Sequence, residues 1–109
     1  MRKTYIGELE EVVLLTVAIL QEEAYGVAIT QYIDANLDRK LSISAIHATL
    51  HRLSVKGFVS SEMGGATSER GGRRKRFFKV TTAGSQILHE IQNTRAKLWG
   101  HVPPNALTT

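Results

Sequence analysis

The stretch over residues 42–81 constrains the fold most, because it predicts a helix, a tight turn and a hairpin in immediate succession. Apolar residues at its start recur three or four positions apart, which places them on one face of a helix. They are Ile43, Ile46, Leu50 and Leu53. Ser42 is a suitable N-cap, and Gly57 suits the left-handed backbone conformation that often ends a helix. A helix over 42–57 is therefore predicted.

The opposite face of this helix is small and polar at its start and basic further on. A helical wheel places there Ser44, Ala48, His51, Arg52 and Val55. Small side chains allow a helix to approach a groove closely, and Arg favours the guanine edge of a base pair. This face is therefore predicted to enter the major groove of DNA.

The residues that follow predict a β-hairpin with a basic tip. Segments 58–63 and 77–81 have strand character. The glycine-rich segment 64–76 between them favours a flexible loop. Its cations are Arg70, Arg73, Arg74, Lys75 and Arg76. A helix followed by such a hairpin is typical of the winged helix-turn-helix, whose wing contacts the flanking DNA backbone.

Charge is distributed unevenly along the chain. Residues 1–38 carry a net charge of −5, and residues 39–109 carry +9. A clustered positive field is typical of a protein that binds a polyanion. The alternative is a solvated loop that is basic without a partner, but the cations lie where a wing would contact phosphates.

The composition argues against several classes of protein. The absence of cysteine excludes disulfides and thiolate metal sites. No apolar run approaches the roughly 20 residues that cross a bilayer, and the N-terminus turns acidic too soon for a signal peptide. We therefore expect a soluble, cytoplasmic protein with no cofactor and no membrane partner.

Three further helices are predicted, over residues 7–23, 25–36 and 82–99, with Gly100 ending the last. The fold class is therefore mainly α with a small β-hairpin (α+β). The first helix is apolar on nearly every side, so we expect a second subunit to cover part of it, together with a narrow apolar seam on the last helix. The predicted dimer contacts are Leu9, Val13, Ile87, Ile91, Leu98 and Trp99.

The chain resembles the PadR family of bacterial winged-helix transcriptional regulators over nearly its whole length. Four pieces carry the resemblance in order and spacing: GELE (7–10), YGVAI (25–29), SISAIHATLHRLSVKGFV (42–59) and GRRKRFFKVTTAG (72–84). The resemblance implies a homodimer that binds a double-stranded DNA operator and usually represses transcription. It implies a DNA-binding domain over 1–81, a dimerisation helix over 82–100 and a tail over 101–109. In some relatives a small aromatic or drug-like effector near the dimer interface releases the DNA.

The predicted DNA-binding residues are Ser44, His47, Ala48, His51, Arg52, Arg73, Arg74, Lys75 and Arg76. The resembled family usually has Tyr at position 47, where the side chain reaches the DNA backbone. His47 either keeps that contact or packs at the edge of the apolar stripe. Arg52 either contacts DNA or forms an intramolecular ion pair. Phe78 is a second departure, since Tyr is common there.

An effector site, a metal site and a catalytic site have less support in the sequence than the DNA-binding surface. Trp99 either stacks on a flat effector or caps the apolar seam. His47 and His51 have the spacing of zinc ligands, but no cysteine or nearby carboxylate completes a site, so no metal is expected. No nucleophile–base pair is present, so we expect no enzyme. The alternative to a DNA-binding regulator is a winged-helix module used for protein–protein interaction, which needs no phosphate clamp.

Overall fold

The computed structural model describes residues 5–64 and 74–107. Within them the chain forms four α-helices and two strands, and a short 3-10 helix, Gln21–Glu23, follows the first α-helix. The elements are α1 Glu8–Leu20, α2 Gly26–Asn36, α3 Ile43–Val55, β1 Val59–Met63, β2 Arg76–Val80 and α4 Thr82–His101. This arrangement confirms the predicted α+β fold class. Among the described helices, none is both long and apolar enough to cross a membrane.

The ends of α3 follow from local chemistry. The Ser42 hydroxyl accepts a hydrogen bond of 3.0 Å from the Ala45 N–H, which satisfies one free donor at the start of the helix. Beyond the other end Gly57 has φ of +82°, a conformation that costs glycine little. Both features confirm the predictions for these two residues. The prediction for Gly100 was wrong, because α4 continues through it to His101.

The core lies between α1, α2 and α3. Its fully buried large side chains come from all three helices and include Val13, Leu14, Val17, Ile29, Ile33, Ile46, Leu50 and Leu53. Burying one such side chain stabilises the fold by about 1.5–3 kcal/mol. Because three of these residues lie on α3, the core fixes the rotation of α3 and leaves its other face in solvent.

The hairpin continues directly from α3. Strands β1 and β2 pair antiparallel, from Val59 opposite Val80 to Met63 opposite Arg76. Phe58, Val59 and Phe78 are buried at the base of the hairpin, where they join the helical core. The hairpin therefore stands in a fixed position beside α3, and α4 leaves from its base.

Candidate nucleic-acid interface

The outward face of α3 carries a line of exposed residues three or four positions apart. We call this line the α3 stripe; it consists of Ser44, Ala48, His51 and Val55. The first two side chains are small, and the imidazole of His51 can donate or accept a hydrogen bond. The structure thus places three of the predicted DNA-binding residues on one accessible surface. Among residues 5–64 and 74–107, no group of three or more His, Cys, Asp or Glu is placed to hold a metal ion.

The two residues that flank the α3 stripe contact neighbouring helices. The His47 ring lies against α2, since a Cβ added to Gly26 would be 2.8 Å from its Cε1 atom. On the other flank, the Arg52 Nε lies 3.5 Å from Oε2 of Glu10 in α1, and its Nη2 donates to the Thr49 hydroxyl at 3.1 Å. His47 therefore packs on α2 while remaining exposed. Arg52 forms the intramolecular ion pair that was the predicted alternative, and its contact with DNA stays a prediction.

Glu10 is the buried carboxylate that joins α1 to α3, and its side chain is only 7% exposed. It accepts a 2.7 Å hydrogen bond from the Gly7 N–H, and each of its oxygens lies 2.9 Å from Lys56 Nζ. Burial by itself raises the pKa of Glu10, but the Gly7 N–H and the charges of Lys56 and Arg52 outweigh it and lower this pKa below its ordinary value. Glu10 is therefore ionised at neutral pH.

The predicted cations of the wing differ in their surroundings. Arg73 lies outside the described residues. Arg76 donates from Nη1 to the Ser61 hydroxyl across the hairpin, at 3.0 Å. Arg74 is exposed, and it forms no hydrogen bond or ion pair with the part of the chain that the structure describes. Its charge is thus accessible to an external anion.

Tyr25 connects the wing to the start of α2. The Lys75 ammonium lies 4.1 Å from the centroid of the Tyr25 ring, and the edge of the same ring contacts Phe77 at a centroid distance of 5.4 Å. Tyr25 also pairs with Phe77 as an isolated antiparallel bridge, next to a 2.8 Å bond from the Phe78 N–H to the Ala24 carbonyl. An isolated bridge therefore links the two-stranded hairpin to the residue before α2, and the sequence pattern did not predict this link.

One of the predicted dimer contacts is wrong for a physical reason: Val13 is fully buried in the core of a single chain and has no surface left for a partner. Ile87 packs in the same core but is 9% exposed, so its dimer contact stays a prediction. Leu9 and Ile91 are partly buried against the same core.

Part of the exposed apolar surface lies on α1 and at the end of α4. Leu98 is 59% and Trp99 66% exposed, and on α1 Leu15 and Ile19 are 44% and 53% exposed. A groove of about 710 Å³ separates α1 from α4, and we call it the α1–α4 groove. Its lining includes Leu15, Ala18, Leu88, Gln92, Arg95 and Ala96.

Helices α2 and α3 followed by the β1–β2 hairpin define a winged helix-turn-helix protein. Residues 14–90 match the family described as the Transcriptional regulator PadR-like family. This match covers more than half of the chain, and the chain belongs to that family. The resemblance in the sequence is thereby confirmed, and the prediction that the chain is no enzyme agrees with a family of transcription regulators.

Solved structures show the same fold. A PadR family transcription regulator from Clostridium difficile R20291 has a TM-score of 0.62 and 21% identity, over 82% of this chain and 90% of that one. A PadR family transcriptional regulator from Eggerthella lenta DSM 2243 has a TM-score of 0.64 and 23% identity, over 85% of this chain and 80% of that one. Bacillus subtilis PadR in complex with operator DNA has a TM-score of 0.62 and 23% identity, over 94% of this chain and 53% of that one. The search of curated proteins found no match.

Proposed function

We propose that this chain is a homodimeric repressor that binds a double-stranded DNA operator, with the α3 stripe in the major groove and the wing on the flanking phosphates. The observation that carries the proposal is the exposed line of Ser44, Ala48 and His51 beside a wing whose Arg74 has no partner within the described residues. With DNA as the ligand, the proposed site of action is the cytoplasm.

The shape of α3 supports insertion into a groove. The major groove of B-DNA is about 12 Å wide and admits a single helix. Ser44 and Ala48 add little to the radius of α3 in its first two turns, so the backbone can approach the base edges. His51 lies one turn further on, and its imidazole, like the Ser44 hydroxyl, can donate to a base or a phosphate.

The relative with bound DNA supports binding to an operator. Bacillus subtilis PadR is described in complex with operator DNA, and its fold aligns with 94% of this chain. This chain spans about half of that protein. The proposal therefore concerns the winged domain and the helix that follows it.

A second copy of the chain is the proposed occupant of the α1–α4 groove. Leu15 and Ile19 on one side and Leu98 and Trp99 on α4 leave apolar surface that a partner's α4 can cover. A two-fold dimer of this kind binds half-sites about 34–36 Å apart. In sedimentation velocity at micromolar concentration we expect a dimer, which Ile19→Glu weakens. Val27→Glu, at a similarly exposed position on α2, is the matched control, and a wild type that is only monomeric contradicts the proposal.

Release of the DNA by a small aromatic effector stays a prediction. Trp99 is the residue on which a flat ligand would stack, and its exposure leaves it accessible to a ligand as well as to a partner subunit. A titration of Trp99 fluorescence with aromatic compounds, followed by a DNA-binding assay, measures both events. Quenching without loss of DNA affinity would contradict effector release.

The experiment that tests DNA binding places a negative charge on the α3 stripe. Ala48→Glu sets a carboxylate against the DNA, and like-charge juxtaposition of this kind costs several kcal/mol, so affinity for duplex DNA from upstream of the gene is expected to fall roughly 100-fold. Ala35→Glu is the matched control, because Ala35 is equally an exposed helical alanine and lies near the far end of α2. Equal effects of both substitutions contradict the proposal. Wild type that ignores DNA in dilute buffer favours the protein–protein module instead.

A further inference from the structure

In the ion pair between Glu10 and Arg52, a residue predicted to touch DNA is bound by a carboxylate from another helix of the same chain. Glu10 lies in the first turn of α1 and is buried, while Arg52 lies near the end of α3 and its side chain is 51% exposed. The Arg52 Nε is 3.5 Å from Oε2 of Glu10. Arg52 is thus held by α1 at its inner end and is open to solvent at its outer end.

Arg52 lies beside the α3 stripe. At 100° per residue, Ala48 and Arg52 are about 40° apart on the helix surface, and Arg52 faces the side where α1 packs. A duplex seated on the stripe would carry phosphates along both of its edges. The Arg52 guanidinium therefore has two possible anionic partners, the carboxylate of Glu10 and a phosphate at the groove edge.

We propose that Glu10 is a positioning residue for DNA binding, which withholds the charge of Arg52 from the DNA backbone by pairing with it inside the protein. This inference rests on the proposed function. Its consequence is that the wild type makes one phosphate contact fewer than its basic surface allows. Sequence-independent affinity is thereby reduced, and a larger share of binding depends on the α3 stripe.

Lys56 is also paired with Glu10, but unlike Arg52 it has a hydrogen-bond acceptor elsewhere in the chain and is mostly buried. Its Nζ donates to the Tyr5 carbonyl at 2.9 Å as well as to Glu10, and its side chain is only 27% exposed. Loss of the Glu10 charge leaves Lys56 with a second acceptor. It leaves Arg52 with only the neutral Thr49 hydroxyl, so the charge released toward DNA is that of Arg52.

The test compares four full-length proteins: wild type, Arg52→Gln, Glu10→Gln and the double variant. The measured quantity is the slope of log affinity against log salt for one duplex, which changes by about 0.9 for each phosphate contact. We expect Arg52→Gln to leave the wild-type slope unchanged and Glu10→Gln to steepen it by about 0.9. In the double variant the slope should return to the wild-type value.

Two results would overturn the inference. One is a slope that becomes shallower by about 0.9 in Arg52→Gln alone, because Arg52 would then contact DNA in the wild type. The other is an unchanged slope in folded Glu10→Gln. If Glu10→Gln does not fold, a shallower slope in Arg52→Gln still overturns the inference. A wild type that binds no DNA at any salt concentration overturns the proposed function itself, and this inference with it.

Discussion

The Lys75 ammonium lies over the ring of Tyr25, 4.1 Å from the ring centroid. Tyr25 in turn contacts Phe77 edge to face and pairs with it through an isolated antiparallel bridge. A cation of the wing is therefore attached to the start of α2, fifty residues earlier in the chain. Together with the bond from the Phe78 N–H to the Ala24 carbonyl, this contact links the wing to the residues before α2.

Because Lys75 contacts the Tyr25 ring, we expect Lys75 to contribute to the stability of the fold. Lys75→Gln removes a cation–π interaction at an exposed site, which contributes about 0.5–1 kcal/mol. We expect the free energy of unfolding, measured by urea denaturation, to fall by that amount. Lys79→Gln is the control, since Lys79 is an exposed lysine of β2, four residues further on, with no such contact among the described residues. Equal losses in both variants would show that the ring contact contributes nothing.

Arg74 is predicted to contribute to DNA binding and not to the stability of the fold. Arg74→Gln removes a charge without a partner among the described residues, so the melting temperature should stay unchanged. The slope of log affinity against log salt should become shallower by about 0.9, equally on operator and unrelated duplexes. Lys97→Gln, near the far end of α4, should leave the slope as it is. A slope that does not change in Arg74→Gln argues against a phosphate contact by the wing.

The buried carboxylate predicts a pH dependence of stability. Because the folded pKa of Glu10 is lowered, its contribution is fully present above the unfolded pKa of about 4.3 and is lost as the pH falls through the folded pKa. At pH 7 we expect Glu10→Gln to be about 1–3 kcal/mol less stable than wild type. Below about pH 4.3 this difference should shrink, as measured by urea denaturation across the pH range.

A matched control for Glu10 is Glu8, which pairs with Arg39 at 2.8 Å on the surface. Exposed pairs of this kind contribute about 0–1 kcal/mol. Glu8→Gln should therefore have a smaller effect at pH 7. A stability difference for Glu10→Gln that persists undiminished at pH 3 would contradict the assigned role of its charge.

Replacing glycine by alanine should change the stability of the fold in opposite directions at two positions of α4. A Cβ on Gly84 would collide with the Phe58 carbonyl oxygen and lie 3.0 Å from Val80 Cγ1. Since backbone cannot move aside easily, Gly84→Ala should destabilise the fold by about 1–3 kcal/mol. A Cβ on Gly100 meets nothing within 4 Å, so Gly100→Ala should stabilise α4 by up to about 1 kcal/mol. Thermal unfolding of both variants checks the difference in sign.

Features that depend on local sequence were predictable. The Ser42 cap and the left-handed Gly57 depend on neighbouring residues, and the spacing of Ile46, Leu50 and Leu53 fixes which face of α3 is buried. For this reason the exposed position of Ser44, Ala48 and His51 also followed from the sequence.

Features that depend on distant contacts were not predictable. Glu10 meets Lys56 across 46 positions and Lys56 meets Tyr5 across 51, and no periodicity signals such pairs. Glu10 offered one weak sign, its position three residues after Gly7, where a Glu often caps a helix start. Val13 was assigned to the dimer contact wrongly, because a helix that is apolar on all sides does not reveal which side its own chain covers.

The most direct measurement of the central claim is the affinity of the wild-type protein for duplex DNA from upstream of its gene, followed by fluorescence anisotropy at several salt concentrations. We expect tight binding in dilute buffer and a log–log slope of about −0.9 for each phosphate contact. Binding to this duplex should also be stronger than binding to an unrelated duplex of equal length. Absence of binding at the lowest salt concentration, or an affinity that does not change with salt, would contradict the central claim.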